Sequence, residues 1–225
     1  MVVLTCFHGR PKVSEIFLAH TTPRLPIFAA CSEGDTENIE LCQRYGVTFC
    51  VVANEPLGAK WNAAMELVPE GTPVMVLGSD DLVSDEWIAA AQGSIDAGHH
   101  YITPAACGMY DMASGAACIL RSNGNGSQTF GAGRVLSATV VAGVRPMWTA
   151  EKMQALDSDA HGRILGHGFD RVTIATDRVP VTDLKSGVNL WAYHTWAWRG
   201  RSAAVDDVLH MVAPGLRQAS STSTE

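Results

Sequence analysis

The chain has 225 residues and a mass of 24.0 kDa, a length that suits one α/β domain better than two large domains. Hydrophobic residues make up 47% of it and charged residues only 17%, which excludes a disordered or fibrous chain. The formal net charge of −7 excludes a general, charge-driven nucleic-acid binder, although a local patch could still bind phosphate groups.

The first hundred residues alternate short apolar runs with helical patterns. The apolar runs predict strands at Met1–Phe7, Leu25–Cys31, Val47–Val52 and Val74–Leu77. Helices are predicted at Lys12–His20, Asp35–Tyr45, Gly58–Leu67 and Asp85–Ala97. Pro11 suits a first helical position, and Ser84 suits an N-cap. This alternation predicts a single Rossmann-like α/β domain, with a mostly parallel central sheet flanked by helices.

The second half of the chain is less regular. Strands are predicted at Tyr101–Thr103, Ala116–Leu120, Arg171–Thr176 and Asn189–Thr195. A polar, glycine-rich loop joins Leu120 to Gly133, a helix is expected near Leu136, and Thr149 is expected to cap a helix over Ala150–Leu156. The Ser- and Thr-rich tail from Ala213 is predicted to be disordered.

Several features predict a cytoplasmic protein without a membrane partner. The longest uncharged apolar stretch, Val135–Val144, is too short to span a bilayer, and the N-terminus resembles no signal peptide. The six cysteines form no C-x-x-C pair, so we expect buried thiols in a reducing compartment.

The fourth predicted strand ends in two adjacent carboxylates, Asp80 and Asp81. Ligands of open parallel sheets bind at the carboxyl ends of strands, and neighbouring acids repel each other unless a cation or a proton intervenes. A divalent cation is therefore one interpretation of the pair. The other is a turn in which aspartate caps the next helix, although Ser84 already serves that helix.

Other common nucleotide and hydrolase motifs are absent from the sequence. It contains no P-loop, no serine-hydrolase elbow and no H-E-x-x-H pair. Gly131 and Gly133 lack the third glycine of a dinucleotide fingerprint, and they follow a polar loop rather than the first strand.

No acidic residue lies between Asp111 and Glu151, a stretch that contains Arg121, Arg134 and Arg145. Such a segment could contact a phosphate backbone or an acidic acceptor, or it could be an ordinary polar surface loop. Trp148 could stack on a sugar or base, or could belong to the core.

Four passages together resemble a GT-A-fold glycosyltransferase, similar to glycosyltransferase family 2 and to short phage-encoded, DNA-modifying glycosyltransferases. Leu4–Arg10 resembles the first strand and loop of the nucleotide site, and Asn54–Asn62 resembles the family's N-x-x-x-G-x-x-x-N segment. Gly78–Asp81 resembles the D-x-D region. Gly133–Asp159 resembles the acceptor-side helix with its acidic catalytic residue. Gly78 stands where the family usually has its first Asp.

The resemblance implies metal-dependent, inverting transfer of a sugar from a nucleotide sugar, in the first place a UDP-sugar, to a hydroxyl acceptor such as a 5-hydroxymethylated pyrimidine in DNA. It implies a Mn²⁺ or Mg²⁺ ion held by Asp80, Asp81 and His194. The implied donor-binding residues are Thr5, His8, Arg10, Asn54, Gly58, Lys60, Asn62, Ser79 and Asp80. The implied acceptor-binding residues are Arg121, Arg134 and Trp148, with the loop Ser122–Gly131.

For the general base, the resemblance favours Asp157, with Asp159 as second choice, since these are the only acids between Lys152 and Asp170. The segment Asp183–Ser186 is expected to order a late loop over the donor. The catalytic domain is expected over residues 1–212, with a donor half at 1–100 and an acceptor half at 101–200. A phage-encoded enzyme of this kind would act in the host cytoplasm.

Two other classes remain open from the sequence. A nucleotidyltransferase could use the same sheet, metal and nucleotide, and a non-catalytic nucleotide- or sugar-binding module would tolerate the departure at Gly78.

Overall fold

The computed structural model describes residues 1–122, 130–186 and 193–212. Its strands are β1 (Val2–Phe7), β2 (Ile27–Ser32), β3 (Thr48–Val52), β4 (Val74–Val76), β5 (Asp81–Val83), β6 (Tyr101–Pro104), β7 (Ala106–Asp111), β8 (Ala117–Arg121), β9 (Arg134–Leu136), β10 (Arg171–Ile174), β11 (Val181–Lys185) and β12 (Arg201–Ser202). Its helices are α1 (Pro11–Thr21), α2 (Thr36–Arg44), α3 (Leu57–Glu66), α4 (Asp85–Asp96), α5 (Ala138–Gly143), α6 (Leu156–Gly166), α7 (Tyr193–Ala197) and α8 (Val205–Val208).

The larger sheet has the strand order β10-β6-β9-β4-β1-β2-β3. All of its pairings are parallel except those of β9, which runs antiparallel between β4 and β6. Apolar residues of α1, α2 and α4 pack into one core cluster and those of α3, α5 and α6 into another. The predicted fold, a single α/β domain with a mostly parallel sheet flanked by helices, is therefore confirmed.

A second sheet, of order β12-β8-β7-β11-β5, stands beside the first. Only its β7–β11 pairing is parallel. β5 follows β4 after a turn of four residues, so the chain passes directly from one sheet to the other at the carboxyl end of β4. β5, β7 and β11 were not predicted, because they are short or carry polar residues and glycine within the strand.

Two predicted helices need correction. Leu136 ends strand β9, and the helix begins only at Ala138, where the Ser137 hydroxyl accepts a hydrogen bond from the Val140 N–H. The helix predicted over Ala150–Leu156 is instead α6, which begins at Leu156. The residues before it cannot be helical because the Ala150 and Lys152 carbonyls accept hydrogen bonds from the first turn of α3.

The predicted strand Asn189–Thr195 is also wrong where the structure describes it, since Tyr193–Ala197 is helical. Its earlier part, most of the predicted acceptor loop and the predicted disordered tail lie outside the described residues. The six cysteines are free thiols, four buried and two half-buried. No helix among the described residues is long and apolar enough to cross a membrane.

Candidate functional site

Three aspartates meet where the two sheets join. Asp80 lies in the turn after β4, and Asp81 begins β5. Asp81 pairs directly with Asp183 across the antiparallel β5–β11 ladder. One carboxylate oxygen from each of the three residues lies within 4.8 Å of the others. We call Asp80, Asp81 and Asp183 the carboxylate cluster.

Burial and mutual repulsion disturb the ionisation of this cluster. Burial raises the pKa of Asp81 well above its usual range, and the neighbouring Asp183 and Asp80 raise it further. Burial likewise raises the pKa of Asp183 to about 6, although the ion pair with Lys185 opposes the shift. Lys185 is buried, which lowers its pKa, but the three aspartates outweigh that effect and raise it. Lys185 beside Asp183 and Arg10 beside Asp80 therefore compensate only part of the negative charge.

The cluster has the properties of a divalent-cation site. The Asp183 Oδ1 atom is buried and accepts no hydrogen bond from any residue that the structure describes. An unsatisfied anionic oxygen of this kind is costly, and a bound cation would satisfy it. Because all the available ligands are carboxylate oxygens, the site suits a hard cation such as Mg²⁺ or Mn²⁺.

Gly78 gives the carboxylates the space to converge. A Cβ atom at this position would lie 2.6 Å from Asp80 Oδ1 and 3.1 Å from Asp81 Oδ2. The Gly78 N–H also donates to Asp81 Oδ2 at 2.6 Å. The glycine that departs from the D-x-D pattern therefore leaves room for the two acids that follow it.

Arg10 connects the loop after β1 to the cluster. Its Nη1 donates to Asp80 Oδ2 at 2.7 Å, and its Nη2 donates to the Ser79 hydroxyl at 3.3 Å. Arg10 has a left-handed φ of 53°, a strained conformation for a residue other than glycine and one that recurs at functional sites. Asp35, at the start of α2, holds the loop by accepting from the Gly9 N–H at 2.8 Å. The structure thus brings Arg10, Ser79 and Asp80 together as three of the predicted donor-binding residues.

The predicted donor-facing orientation of Lys60 is corrected. Lys60 is 1% exposed, and its ammonium donates to the Phe7 carbonyl and the Ser32 hydroxyl at 2.6 Å and to Asn54 Oδ1 at 3.1 Å. Burial lowers its pKa. The His8 Nδ1 atom lies 2.9 Å from the same Ser32 hydroxyl, while the His8 ring is exposed. Lys60 therefore holds together the carboxyl ends of β1, β2 and β3 from within the core. His8 is the residue of this hydrogen-bond network that is exposed at the surface.

Gly58 and Asn62 dock α3 onto the segment before α6. A Cβ atom at Gly58 would lie 2.1 Å from the Thr149 carbonyl oxygen, so only glycine allows this approach. The Asn62 side chain donates to the Trp148 carbonyl at 2.7 Å and accepts from the Trp148 N–H at 3.1 Å. Both residues hold backbone, which corrects the expectation that Asn62 faces the donor.

Thr5 and Trp148 lie in the core. Thr5 is fully buried within β1. Trp148 is 2% exposed and packs against Trp61, with their ring centroids 5.3 Å apart. The core alternative for Trp148 therefore describes this structure better than stacking on an acceptor.

The two acids considered for the general base have different surroundings. Asp159 accepts hydrogen bonds from the Thr149 N–H, the Thr149 hydroxyl and Lys152. Burial raises the pKa of Asp159, but the bonds from Lys152 and Thr149 outweigh it, so the pKa lies below its usual value. Asp159 is thus committed to holding the turn before α6.

Asp157 is the more available acid, with a side chain that is 61% exposed. Its Oδ1 atom accepts from Arg134 Nη2 at 2.9 Å, and the Arg134 side chain is 1% exposed. A Cβ atom at Gly131 would lie 1.9 Å from Asp157 Oδ1, so the glycine is needed for this arrangement. Arg134 pairs with Val76 at the end of β4, which puts Asp157 at the same edge of the sheet as the carboxylate cluster. Arg134 is buried and positions Asp157, in contrast to its predicted contact with an acceptor.

The remaining predicted residues lie farther from this edge. Arg121 is exposed at the end of β8, where it lines a cleft of about 500 Å³ that also contains Arg178, His210 and the acids Asp177, Asp206 and Asp207. His194 is exposed on α7 and does not belong to the carboxylate cluster.

Sequence analysis missed Asp183 as a member of the cluster. Its segment lies in strand β11 rather than in a loop over the donor. Nothing in its local sequence indicates a ligand, since its role depends on pairing with Asp81, about one hundred residues earlier in the chain.

Comparison with known proteins supports the fold. No protein-family model and no curated protein sequence matches the chain. Among solved structures, it is similar to the inositol-1-phosphate CTP transferase from T. maritima, with a TM-score of 0.55, 11% identity, and coverage of 94% of this chain and 97% of that one. It is also similar to a putative glucose-1-phosphate thymidylyltransferase from Bacillus anthracis, with a TM-score of 0.52, 11% identity, and coverage of 81% and 89%.

A third similar structure is the 4-diphosphocytidyl-2C-methyl-D-erythritol synthase from Anaerococcus prevotii, with a TM-score of 0.52, 10% identity, and coverage of 77% and 86%. At these identities the similarity shows a common fold and nothing finer. The sheet and helices of this chain therefore share the fold of these three structures.

Proposed function

We propose that this protein is a divalent-cation-dependent transferase whose donor is a nucleotide carrying a diphosphate or triphosphate. The observation that carries the proposal is the carboxylate cluster, with the unsatisfied Asp183 Oδ1, at the carboxyl end of β4. This end of an open sheet is where ligands of such folds bind. Arg10, which lies against Asp80, adds a positive group suited to phosphate.

Asp80, Asp81 and Asp183 would hold the cation, which is Mg²⁺ or Mn²⁺. When bound, the cation supplies neutralisation of the negative charge on the donor phosphates and on the leaving group. The protein itself contributes a pre-formed pocket edge, because Lys60 fixes the three strand ends and Asp35 fixes the loop that carries His8 and Arg10. Groups held in place before the substrate binds lower the entropic cost of reaction.

Nucleotidyl transfer is the first candidate reaction. Two of the similar structures are named as transferring a nucleotide to a phosphorylated sugar or polyol. In this reaction an acceptor phosphate oxygen attacks the α-phosphorus of a nucleoside triphosphate, the bond to the bridging oxygen breaks, and pyrophosphate leaves.

Glycosyl transfer is the second candidate, and a specific observation favours it. The four passages that resemble family 2 glycosyltransferases contact one another: Arg10 with Asp80, Lys60 with Phe7, and Asn62 with Trp148. An acceptor hydroxyl, such as that of a 5-hydroxymethylated pyrimidine in DNA, would attack the anomeric carbon of a UDP-sugar. UDP leaves, and Asp157 accepts the hydroxyl proton.

The experiment uses one panel of nucleotide sugars with Mg²⁺ or Mn²⁺ and two readouts. With added pyrophosphate, a nucleotidyltransferase runs in reverse and forms a nucleoside triphosphate. With acceptor or water, a glycosyltransferase releases a nucleoside diphosphate. Product masses therefore separate the two reactions. If no nucleotide raises the melting temperature and neither product forms, the transferase proposal fails; if a nucleotide binds without turnover, the protein is a binding module.

A further inference from the structure

The Arg10 side chain takes the place of a cation at the edge of the carboxylate cluster. Its Nη1 donates to Asp80 Oδ2 at 2.7 Å, and the ion pair is largely buried, with side chains that are 18% and 16% exposed. Its charge also reaches Asp183, whose pKa burial raises and Lys185 and Arg10 lower. Arg10 therefore compensates carboxylate charge that a divalent cation in the cluster would otherwise compensate.

The two carboxylate oxygens of Asp80 have different surroundings. Oδ2 accepts from Arg10. A Cβ atom at Gly78 would lie 2.6 Å from Asp80 Oδ1 and 3.1 Å from Asp81 Oδ2, so Oδ1 lies on the side of the Asp81 carboxylate. The Asp80 backbone is fixed, because its carbonyl accepts from the Leu184 N–H at 2.8 Å. Asp80 is therefore the carboxylate that Arg10 and a cation in the cluster would share.

The backbone that carries Arg10 is anchored, whereas its side chain is not enclosed. The Gly9 N–H donates to Asp35 Oδ2 and the Gly9 carbonyl accepts from Asn38 Nδ2, each at 2.8 Å. The Arg10 carbonyl accepts from the first turn of α1. Because the backbone is held on both sides and the guanidinium is partly exposed, a change of partner needs only rotation of the side chain.

Lys185, the lysine beside Asp183, has less freedom to change its partner. It belongs to strand β11, and its side chain is 7% exposed. Arg10 has the more accessible side chain, and its planar guanidinium can donate two parallel hydrogen bonds to a phosphate. Once a divalent cation neutralises Asp80, the attraction between Asp80 and Arg10 weakens and the two positive charges repel each other. A phosphate is then the better partner for Arg10.

We propose that Arg10 exchanges Asp80 for a phosphate of the donor when a divalent cation occupies the carboxylate cluster, so that nucleotide binding depends on the cation; this rests on the proposed transferase function. In the empty site, Asp80 holds Arg10 and the carboxylates repel a phosphate chain. In the occupied site, the cation and Arg10 both attract it. The exchange couples the two binding events, and by linkage each ligand raises the affinity for the other by the same factor.

Isothermal titration calorimetry tests the exchange. It measures binding of Mn²⁺ alone and binding of UDP, CDP, ADP and GDP with saturating Mn²⁺ or with EDTA. We expect Arg10→Gln to bind Mn²⁺ about three- to ten-fold more tightly, because a competing positive charge leaves Asp80. With Mn²⁺ the variant should bind nucleotide about ten-fold more weakly. In EDTA its weak nucleotide binding should change little, because Asp80 holds Arg10 in the wild type. A purely structural role of Arg10 would weaken both ligands.

Two further variants complete the experiment. Arg10→Asn repeats the test if Arg10→Gln does not fold, since asparagine tolerates the left-handed backbone of this position, where φ is 53°. Arg44→Gln is the matched control. It removes the same charge from an exposed ion pair with Glu15, at the end of α2 opposite to Asp35, and should change neither affinity.

Three results would overturn the exchange: Mn²⁺ binding that is no tighter in Arg10→Gln, nucleotide binding with Mn²⁺ that is unchanged in this variant, or equal losses of nucleotide affinity with Mn²⁺ and with EDTA. The last result would mean that Arg10 contacts phosphate whether or not the cation is bound. Each of them leaves the transferase proposal intact as long as the wild type binds a nucleotide with Mn²⁺. If the wild type binds none of the four nucleotides, both proposals fail.

Discussion

Asp81 and Asp183 stand directly opposite each other on the antiparallel strands β5 and β11. Like charges in this position destabilise a sheet, and here Asp81 is buried and Asp183 is half-buried beside Asp80. Such an arrangement is costly in the metal-free protein and is relieved when a cation or a proton binds.

The stability of the metal-free protein is therefore expected to depend on pH and on divalent cations. Because the folded-state pKa values of Asp81 and Asp183 are raised, with that of Asp183 at about 6, their contribution to stability is fully present below the unfolded pKa. The contribution of Asp183 is lost as pH rises through about 6, and that of Asp81 is lost as pH rises through its own raised pKa. At pH 7.5, cation at a hundred times its Kd should add about 2.7 kcal/mol, or roughly 5–10 °C in Tm.

Thermal melts from pH 5 to 8, with EDTA or with Mg²⁺ or Mn²⁺, measure this effect. Asp81→Asn should flatten the metal-free pH dependence and reduce the cation-induced rise in Tm. A cation effect that is equally large in wild type and in this variant would place the ion elsewhere.

Gly78→Ala is expected to weaken cation binding about ten-fold, or about 1.4 kcal/mol. The added Cβ would meet Asp80 Oδ1 at 2.6 Å and push the carboxylates apart. Isothermal titration calorimetry with Mn²⁺ measures the affinity. Gly93→Ala is the matched control, since a Cβ there meets nothing within 4 Å and should leave the affinity unchanged.

Substitutions at Asp157 and Asp159 are expected to separate catalysis from stability. If Asp157 is the base, Asp157→Asn should lower glycosyl transfer by about 10²–10⁴-fold while donor binding remains, because asparagine can still accept from Arg134 but cannot take a proton. Asp159→Asn should mainly lower the free energy of unfolding, by about 1.5–3 kcal/mol, since it weakens charged hydrogen bonds from Lys152 and Thr149.

Steady-state rates and urea unfolding of both variants test this difference. Loss of turnover in Asp159→Asn at unchanged stability would instead identify Asp159 as the general base. Near-normal turnover in both variants would show that neither acid of α6 acts as the general base.

Lys60→Met is expected to destabilise the fold by about 1–3 kcal/mol and to weaken nucleotide binding without abolishing it. The substitution leaves the Phe7 carbonyl, the Ser32 hydroxyl and Asn54 Oδ1 without their shared donor. Lys12→Met, at an exposed position of α1, is the control for the loss of a positive charge. Urea unfolding and nucleotide titration provide the measurements. Unchanged stability with complete loss of nucleotide binding would instead favour direct contact between Lys60 and the donor.

The alternation of apolar runs and helical patterns in the first hundred residues was sufficient to predict the parallel sheet and its flanking helices. These elements form from local periodicity and from caps such as Ser84, whose hydroxyl accepts from the Trp87 N–H. The same local pattern identified Asp80 and Asp81 at a strand end. Composition likewise restricted the chain to a globular protein.

Only the tertiary structure decided which side chains meet. Asp183 joins Asp81 through strand register, and the direction of Lys60 depends on acceptors from three separate strands. The segment 150–155 was predicted to be helical, but its carbonyls accept from the first turn of α3 and α6 begins later. Periodicity in the sequence specifies which face of an element is buried, whereas contacts between residues far apart in the chain are set by packing and pairing. The carboxylate cluster consists of such contacts, so the sequence alone revealed only its first two members.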